Sequence, residues 1–255
     1  MSAQAPRLPA RLWRWGVRGV VLAMALVAGQ AAVAERITEA RFSGPTARYP
    51  HGVLGDDLEW GQLLITTDVG GTSRLIRMTL PDHRVFEDLT PRLVDLDGDQ
   101  SPEVLVVESD AQKGAQLAIY DQTGKIAATP FIGTRFRWLA PIGAADLDGD
   151  GHVEIAYIDR PHLVKTLRVW RLERDGDGAS LTEIASKPGL TNHKIGQDFI
   201  TGGIRDCGDG PQMVTVDASW QNIMVTRLAS GKLSSRALAP FDGTASIRSA
   251  LSCQN

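Results

Sequence analysis

An acidic nonapeptide occurs twice in this chain, 51 residues apart. The first copy is Asp95-Leu96-Asp97-Gly98-Asp99-Gln100-Ser101-Pro102-Glu103, and the second is Asp146-Leu147-Asp148-Gly149-Asp150-Gly151-His152-Val153-Glu154. Both place carboxylates at positions 1, 3, 5 and 9, and both lead into an apolar β-type run, Val104-Leu105-Val106-Val107 and Ile155-Ala156-Tyr157-Ile158. In so tight a loop the alternate acidic side chains converge on one point. Unpaired, they repel one another, and a bound hard cation resolves the repulsion.

The loops also set a period. A third loop, Arg205-Asp206-Cys207-Gly208-Asp209-Gly210, begins 59 residues after Asp146, and a degenerate one near Leu54-Gly55-Asp56-Asp57-Leu58 lies 41 residues before Asp95. Between them run short alternating segments such as Arg74 to Leu80, Gln116 to Tyr120, Leu167 to Leu172 and Ile223 to Leu228, punctuated by turn residues such as Asp121-Gln122-Thr123-Gly124. No long stretch after residue 34 has helical periodicity. A spacing of roughly 40–50 residues with four strands each is that of propeller blades. The sequence therefore predicts an all-β fold, a small β-propeller of about four four-stranded blades. Segments near Arg36 to Phe42 and Ser246 to Leu251 are expected to be strands that pair to close the ring or form a fragmentary fifth blade.

The order of inner strand, Asp-x-Asp-Gly-Asp-x-x-x-Glu and β run resembles the FG-GAP repeats of integrin α-subunit propellers and the related VCBS repeats of bacterial exported proteins. The likeness is good across Arg92 to Val107 and Trp138 to Asp159, partial across Phe199 to Asp217, and weak before Asp95. It implies two calcium sites. The first would use Asp95, Asp97, Asp99, the main-chain carbonyl of Ser101, and Glu103. The second would use Asp146, Asp148, Asp150, the carbonyl of His152, and Glu154. The family usually has Asp at position 9, where this chain has Glu twice.

Residue chemistry alone also favours calcium, which takes six to eight oxygen ligands in flexible geometry. Neither loop offers a thiol, which argues against zinc. An EF-hand needs Glu at position 12 and flanking helices, and neither is present in the pattern. The remaining alternative is a pair of solvated acidic turns, and the duplication in register favours metal over it. The third loop has Arg205, Cys207 and Met213 at positions 1, 3 and 9, so it is not expected to bind calcium. Arg205 either replaces the ion by pairing with Asp206 or Asp209, or is solvated.

Residues 1–34 have a basic start (Arg7, Arg11, Arg14, Arg18), an apolar core from Val20 to Ala28, and the small-x-small sequence Ala32-Val33-Ala34. That is the pattern of a secretory signal peptide, cleaved after Ala34. Its apolar run is short for a membrane span of about 20 residues, so no stable span is expected after cleavage. Residues 35–255 form the expected propeller domain. Without the leader, 23 basic residues face 30 acidic ones, which excludes a basic nucleic-acid footprint. The expected location is periplasmic or secreted. Export permits a Cys207–Cys253 disulfide, the alternative being two buried thiols.

Catalytic constellations are thin. His51, His83, His152, His162 and His193 are scattered, with His162 read as a surface residue. Trp138, Tyr157, Trp170 and Trp220 are expected to pack the core or the blade interfaces rather than line a groove. The expectation is therefore an exported, calcium-stabilised, non-catalytic module binding a protein or glycan partner. The alternative is a calcium-dependent enzyme on a propeller, such as a polysaccharide lyase or hydrolase, which needs a cleft of convergent polar groups.

Overall fold

The computed structural model describes residues 1–2, 35–176 and 178–254. All but the first two residues of the leader segment lie outside these. The chain divides into two units, Met1–Ala32 and Val33–Asn255, and every element described belongs to the second.

The fold is all-β. Sheet 1 contains β1 (Arg36–Thr46), β2 (Glu59–Val69), β3 (Thr72–Thr79), β4 (Arg84–Phe86), β5 (Arg92–Val94), β6 (Glu103–Asp110), β7 (Gly114–Asp121) and β8 (Gly124–Ala128). Sheet 2 is a four-stranded antiparallel meander of β9 (Leu139–Ala145), β10 (Glu154–Asp159), β11 (Thr166–Asp175) and β12 (Gly178–Pro188). Sheet 3 contains β13 (Leu190–Thr191), β14 (Gly203–Asp206), β15 (Pro211–Asp217), β16 (Asn222–Ala229) and β17 (Lys232–Pro240). Helix α1 (Gly243–Leu251) follows.

Three antiparallel units of equal order are visible: β5 to β8, β9 to β12 and β14 to β17, each with an acidic or formerly acidic loop after its first strand. A fourth separate sheet does not form among the described residues. Trp60 of β2 pairs with Phe86 of β4, and β4 pairs with the far half of β6, so β1 to β3 join sheet 1 by continuous hydrogen bonding. Backbone pairing merges two intervals that the loop spacing separates.

Period-two alternation explains how the sheets stack. On β6, Val104 and Val106 face a core enclosed by sheet 1 itself, with Ile37, Leu63, Ile65 and Phe86. Leu105 and Val107 face the opposite way, toward Trp138, which precedes β9, and Ile155, Tyr157 and Trp170 of sheet 2. On β10, Ala156 and Ile158 turn toward Met213 and Leu228 of sheet 3. On β15, Val214 and Val216 face Ile247 and Ala250 of α1. Strands buried on both faces read as unbroken apolar runs, as β6 and β10 do. Trp138, Tyr157 and Trp170 fill the layer between sheets 1 and 2, and Trp220 packs on Phe241. Gly202, at φ +133°, lies so close to sheet 3 that an added Cβ would sit 2.2 Å from the Val214 carbonyl oxygen.

The segment from Ser246 to Leu251 is helical, not a strand, so ring closure by pairing with β1 does not occur; β1 pairs with β2. Ile247, Ser249 and Leu251 alternate as in a strand, yet Ile247 and Ala250 share one helical face and bury it on sheet 3. Two ties fasten the helix. Cys253 forms a disulfide with Cys207, with Cα atoms 5.8 Å apart. Arg205 is buried and donates from Nη1 to the Ala250 carbonyl at 2.6 Å and from Nε to Gln212 Oε1 at 3.1 Å. Arg205 therefore neither pairs with Asp206 or Asp209 nor is solvated. Its cation meets the carbonyl-rich end of the helix, where positive charge is favoured. Replacing both cysteines with serine is expected to lower stability by about 2–4 kcal/mol, because the crosslink closes a long loop. Denaturant unfolding with and without reductant checks this, and an unchanged midpoint would show that Arg205 and apolar packing hold α1 without it.

Candidate metal loops

The two acidic loops are built alike. In the first, between β5 and β6, Asp95 accepts from the amides of Gly98 at 2.8 Å and Gln100 at 3.1 Å, and Asp99 accepts from the Ser101 amide at 2.7 Å. In the second, between β9 and β10, Asp146 accepts from Gly149 at 2.8 Å and Gly151 at 3.0 Å, and Asp150 accepts from the His152 amide at 2.9 Å. Gly98 and Gly149 both stand at φ +78°, the left-handed turn that the fourth position requires. The ninth-position carboxylates reach back across each loop. Glu103 Oε2 accepts from the Leu96 amide at 2.9 Å, and Glu154 Oε2 from the Leu147 amide at 2.8 Å. The long arm of Glu allows this closure while its other oxygen contacts an arginine.

Ligand oxygens of Asp95, Asp97 and Asp99 lie within 4.8 Å of one another, as do those of Asp146, Asp148 and Glu154. Glu103 and Asp150 fall outside these two groups, and arginines contact them as well as Asp97 and Glu154. Ser101 and His152 occupy position 7, each with its amide held by the preceding Asp. The donors are oxygens throughout, and Asp148 Oδ1 is buried without a hydrogen-bond partner among the described residues. A buried carboxylate oxygen with an unused lone pair suits a hard cation. Burial raises the carboxyl pKa of Glu103 and of Glu154, whereas the His152 amide lowers that of Asp150.

The third loop keeps the turn without the acids: Asp206 Oδ1 accepts from Gly208 at 2.8 Å and Gly210 at 3.1 Å. Thus an Asp at the second position orders the turn, helped by Arg227, which donates to the Asp209 carbonyl at 2.9 Å, and by the Cys207–Cys253 disulfide.

Residues 95–157 match the FG-GAP-like repeat family. This stretch is an FG-GAP-like repeat. It runs from the first acidic loop through β6, β7, β8 and β9, across the second loop and into β10. No curated protein and no solved structure matches the chain.

Two arginines of β11 meet the repeat's loops, and the sequence did not point to them. Arg171, cross-strand from Glu154, lies 2.5 Å from Glu154 Oε1, 2.9 Å from Asp150 Oδ2 and 3.5 Å from Asp148 Oδ2. Arg174 crosses to sheet 1 and lies 2.5 Å from Asp97 Oδ2 and 2.8 Å from Glu103 Oε1. Only the register of β10 on β11 and the stacking of sheets 1 and 2 bring these groups together.

At the other end of the sheets, three histidines that look scattered in sequence gather around Trp138. His193 donates from Nε2 to the Gln197 carbonyl at 3.0 Å, so its Nδ1 accepts from His162 Nε2, also at 3.0 Å. His162 is therefore part of a packed cluster, not a plain surface residue, and burial pushes its pKa down to about 4. His51 donates to the buried Glu87 at 2.5 Å, and Ser109 donates to the other Glu87 oxygen. Trp138 Nε1 donates to the Glu87 carbonyl at 2.8 Å. The cavity between His51 and His162 is about 30 Å³, room for about one water molecule.

Proposed function

We propose that this chain is an exported, non-catalytic module of propeller-like stacked blades, stiffened by calcium in two loops, that binds a protein or glycan partner. The observation that carries the calcium reading is the equivalence of the two loops in their amide cradle and in the reach of the position-9 Glu, to which the second loop adds an unpartnered buried oxygen on Asp148. Asp95, Asp97, Asp99 and Glu103 would hold one ion, and Asp146, Asp148, Asp150 and Glu154 the other, with main-chain carbonyls at Ser101 and His152. The ion supplies positive charge that ties mutually repelling carboxylates into a rigid turn. The loop backbone does the rest, because its amides already orient the carboxylates.

The partner surface is best placed away from these loops. Leu163, Val164, Ile195 and Phe199 are exposed apolar residues. They lie in the connections after β10 and before β14, at the sheet ends opposite the acidic loops. Lys165 donates to the Ala218 carbonyl there at 2.6 Å, which links neighbouring sheets at that end. The enzyme alternative finds support in the histidine cluster, but a cavity of about 30 Å³ does not admit a sugar ring. Among the described residues, no helix is long and apolar enough to cross a membrane.

Calcium is expected to raise the melting temperature. A ligand at about 100 times its dissociation constant stabilises the folded state by about 2.7 kcal/mol per site. Differential scanning calorimetry with calcium and with chelator checks this, and superimposable traces would refute the metal reading. The D146A/D148A double variant should keep half of the bound calcium by native mass spectrometry. Pull-down from the cell envelope, with and without chelator, tests the module reading. Recovery of one specific partner supports it, and turnover of a glycan without a captured partner favours the enzyme.

A further inference from the structure

We infer that Arg171 and Arg174 are built-in counter-ions of the two acidic loops, and that a metal ion binds each loop by displacing its guanidinium. This rests on the calcium reading above. The arginines engage carboxylates that the calcium reading assigns to an ion: Asp148, Asp150 and Glu154 for Arg171, and Asp97 and Glu103 for Arg174. A dication and a guanidinium on the same carboxylates repel each other, so each weakens the other's hold on the loop. Arginine stays charged at every pH the fold survives, so the exchange is cation for cation with no proton released.

The two loops differ in how readily the arginine leaves. Arg174 comes from the neighbouring sheet, its side chain is 38% exposed, and it borders a cavity of about 360 Å³ with Asp97, Asp99 and Glu103. Its guanidinium has space to swing into water. Arg171 has a 21% exposed side chain, makes three carboxylate contacts, and sits directly across from Glu154 in the ladder. The first loop should therefore fill at lower calcium than the second. Filling it also severs the Arg174 contacts that join β11 of sheet 2 to the first loop of sheet 1.

The test is isothermal titration of calcium into the full-length chain, as wild type, Arg171→Gln and Arg174→Gln, with native mass spectrometry to count ions. Each variant is expected to tighten one of the two binding steps by about tenfold or more, equivalent to about 1.4 kcal/mol. Arg171→Lys keeps the charge, supports folding if the glutamine variant fails, and should tighten binding less because it lacks the guanidinium fork. Calcium bound by the variants but not by the wild type would support displacement most directly. Calcium bound by wild type with the variants unchanged or weaker overturns the inference and leaves the calcium reading standing. No ion bound by any of the chains overturns both.

Discussion

Glu59→Gln is expected to melt about 10 °C or more above wild type at pH 8–9 and at the same temperature near pH 4. Glu59 opens β2 and is 2% exposed. Burial first, then the negative charges of Glu87, Asp56 and Asp88, push its carboxyl pKa up to about 9. The unfolded chain ionises this group near pH 4.5. Between those values the folded state holds a proton that the unfolded state has released, so stability falls as pH rises across the window and levels off above the folded pKa. Each unit of difference is worth about 1.4 kcal/mol, which makes the full loss on the order of 6 kcal/mol. Glutamine keeps the neutral shape and removes the titration. Thermal melts from pH 4 to pH 10 read this directly. Parallel pH profiles for the two proteins would show that Glu59 ionises normally in the fold.

Trp138→Ala should destabilise the protein by about 3–5 kcal/mol. The side chain is 2% exposed at the junction of sheets 1 and 2. Its ring meets His193 edge-on at 4.8 Å, and its indole N–H satisfies the Glu87 carbonyl at 2.8 Å. Truncation opens a cavity too large for the two sheets to close and leaves that buried carbonyl unpaired. At roughly 2–4 °C per kcal/mol for a chain of this size, the melting temperature should fall by about 6–20 °C. Trp138→Phe fills most of the volume but lacks the donor, so it separates the packing loss from the hydrogen-bond loss. Urea unfolding of the three proteins measures both. A loss below about 1 kcal/mol for the alanine variant would mean that the sheet interface does not depend on this residue.

The strands were readable because period-two alternation and turn residues are local signals. Arg74 to Leu80 and Leu167 to Leu172 lie within β3 and β11 or extend one residue beyond, and the run after each acidic loop is a buried strand. The C-terminal segment misled because Ile247, Ser249 and Leu251 satisfy a strand pattern while Ile247 and Ala250 satisfy a helical one. Only the outer face of sheet 3, which needs a cover, chooses between them. Arg205 misled for a related reason. Its position in the loop suggests a substitute for an ion, but the helix end it reaches lies 45 residues away in sequence.

By itself the sequence determined the loops: the spacing of Asp95, Asp97, Asp99 and Glu103, and of their second copy, dictates an amide-lined acidic turn wherever the chain folds, because the contacts span no more than seven residues. Tertiary structure alone decided what faces those acids. Arg171 reaches them through strand pairing and Arg174 through sheet stacking, across 17 and 71 residues. The same long-range assembly gathered His51, Glu87, His162 and His193 around Trp138. Local hydrogen bonding is written in neighbouring residues, whereas the partner of a charge is fixed only when distant strands bury their apolar faces together.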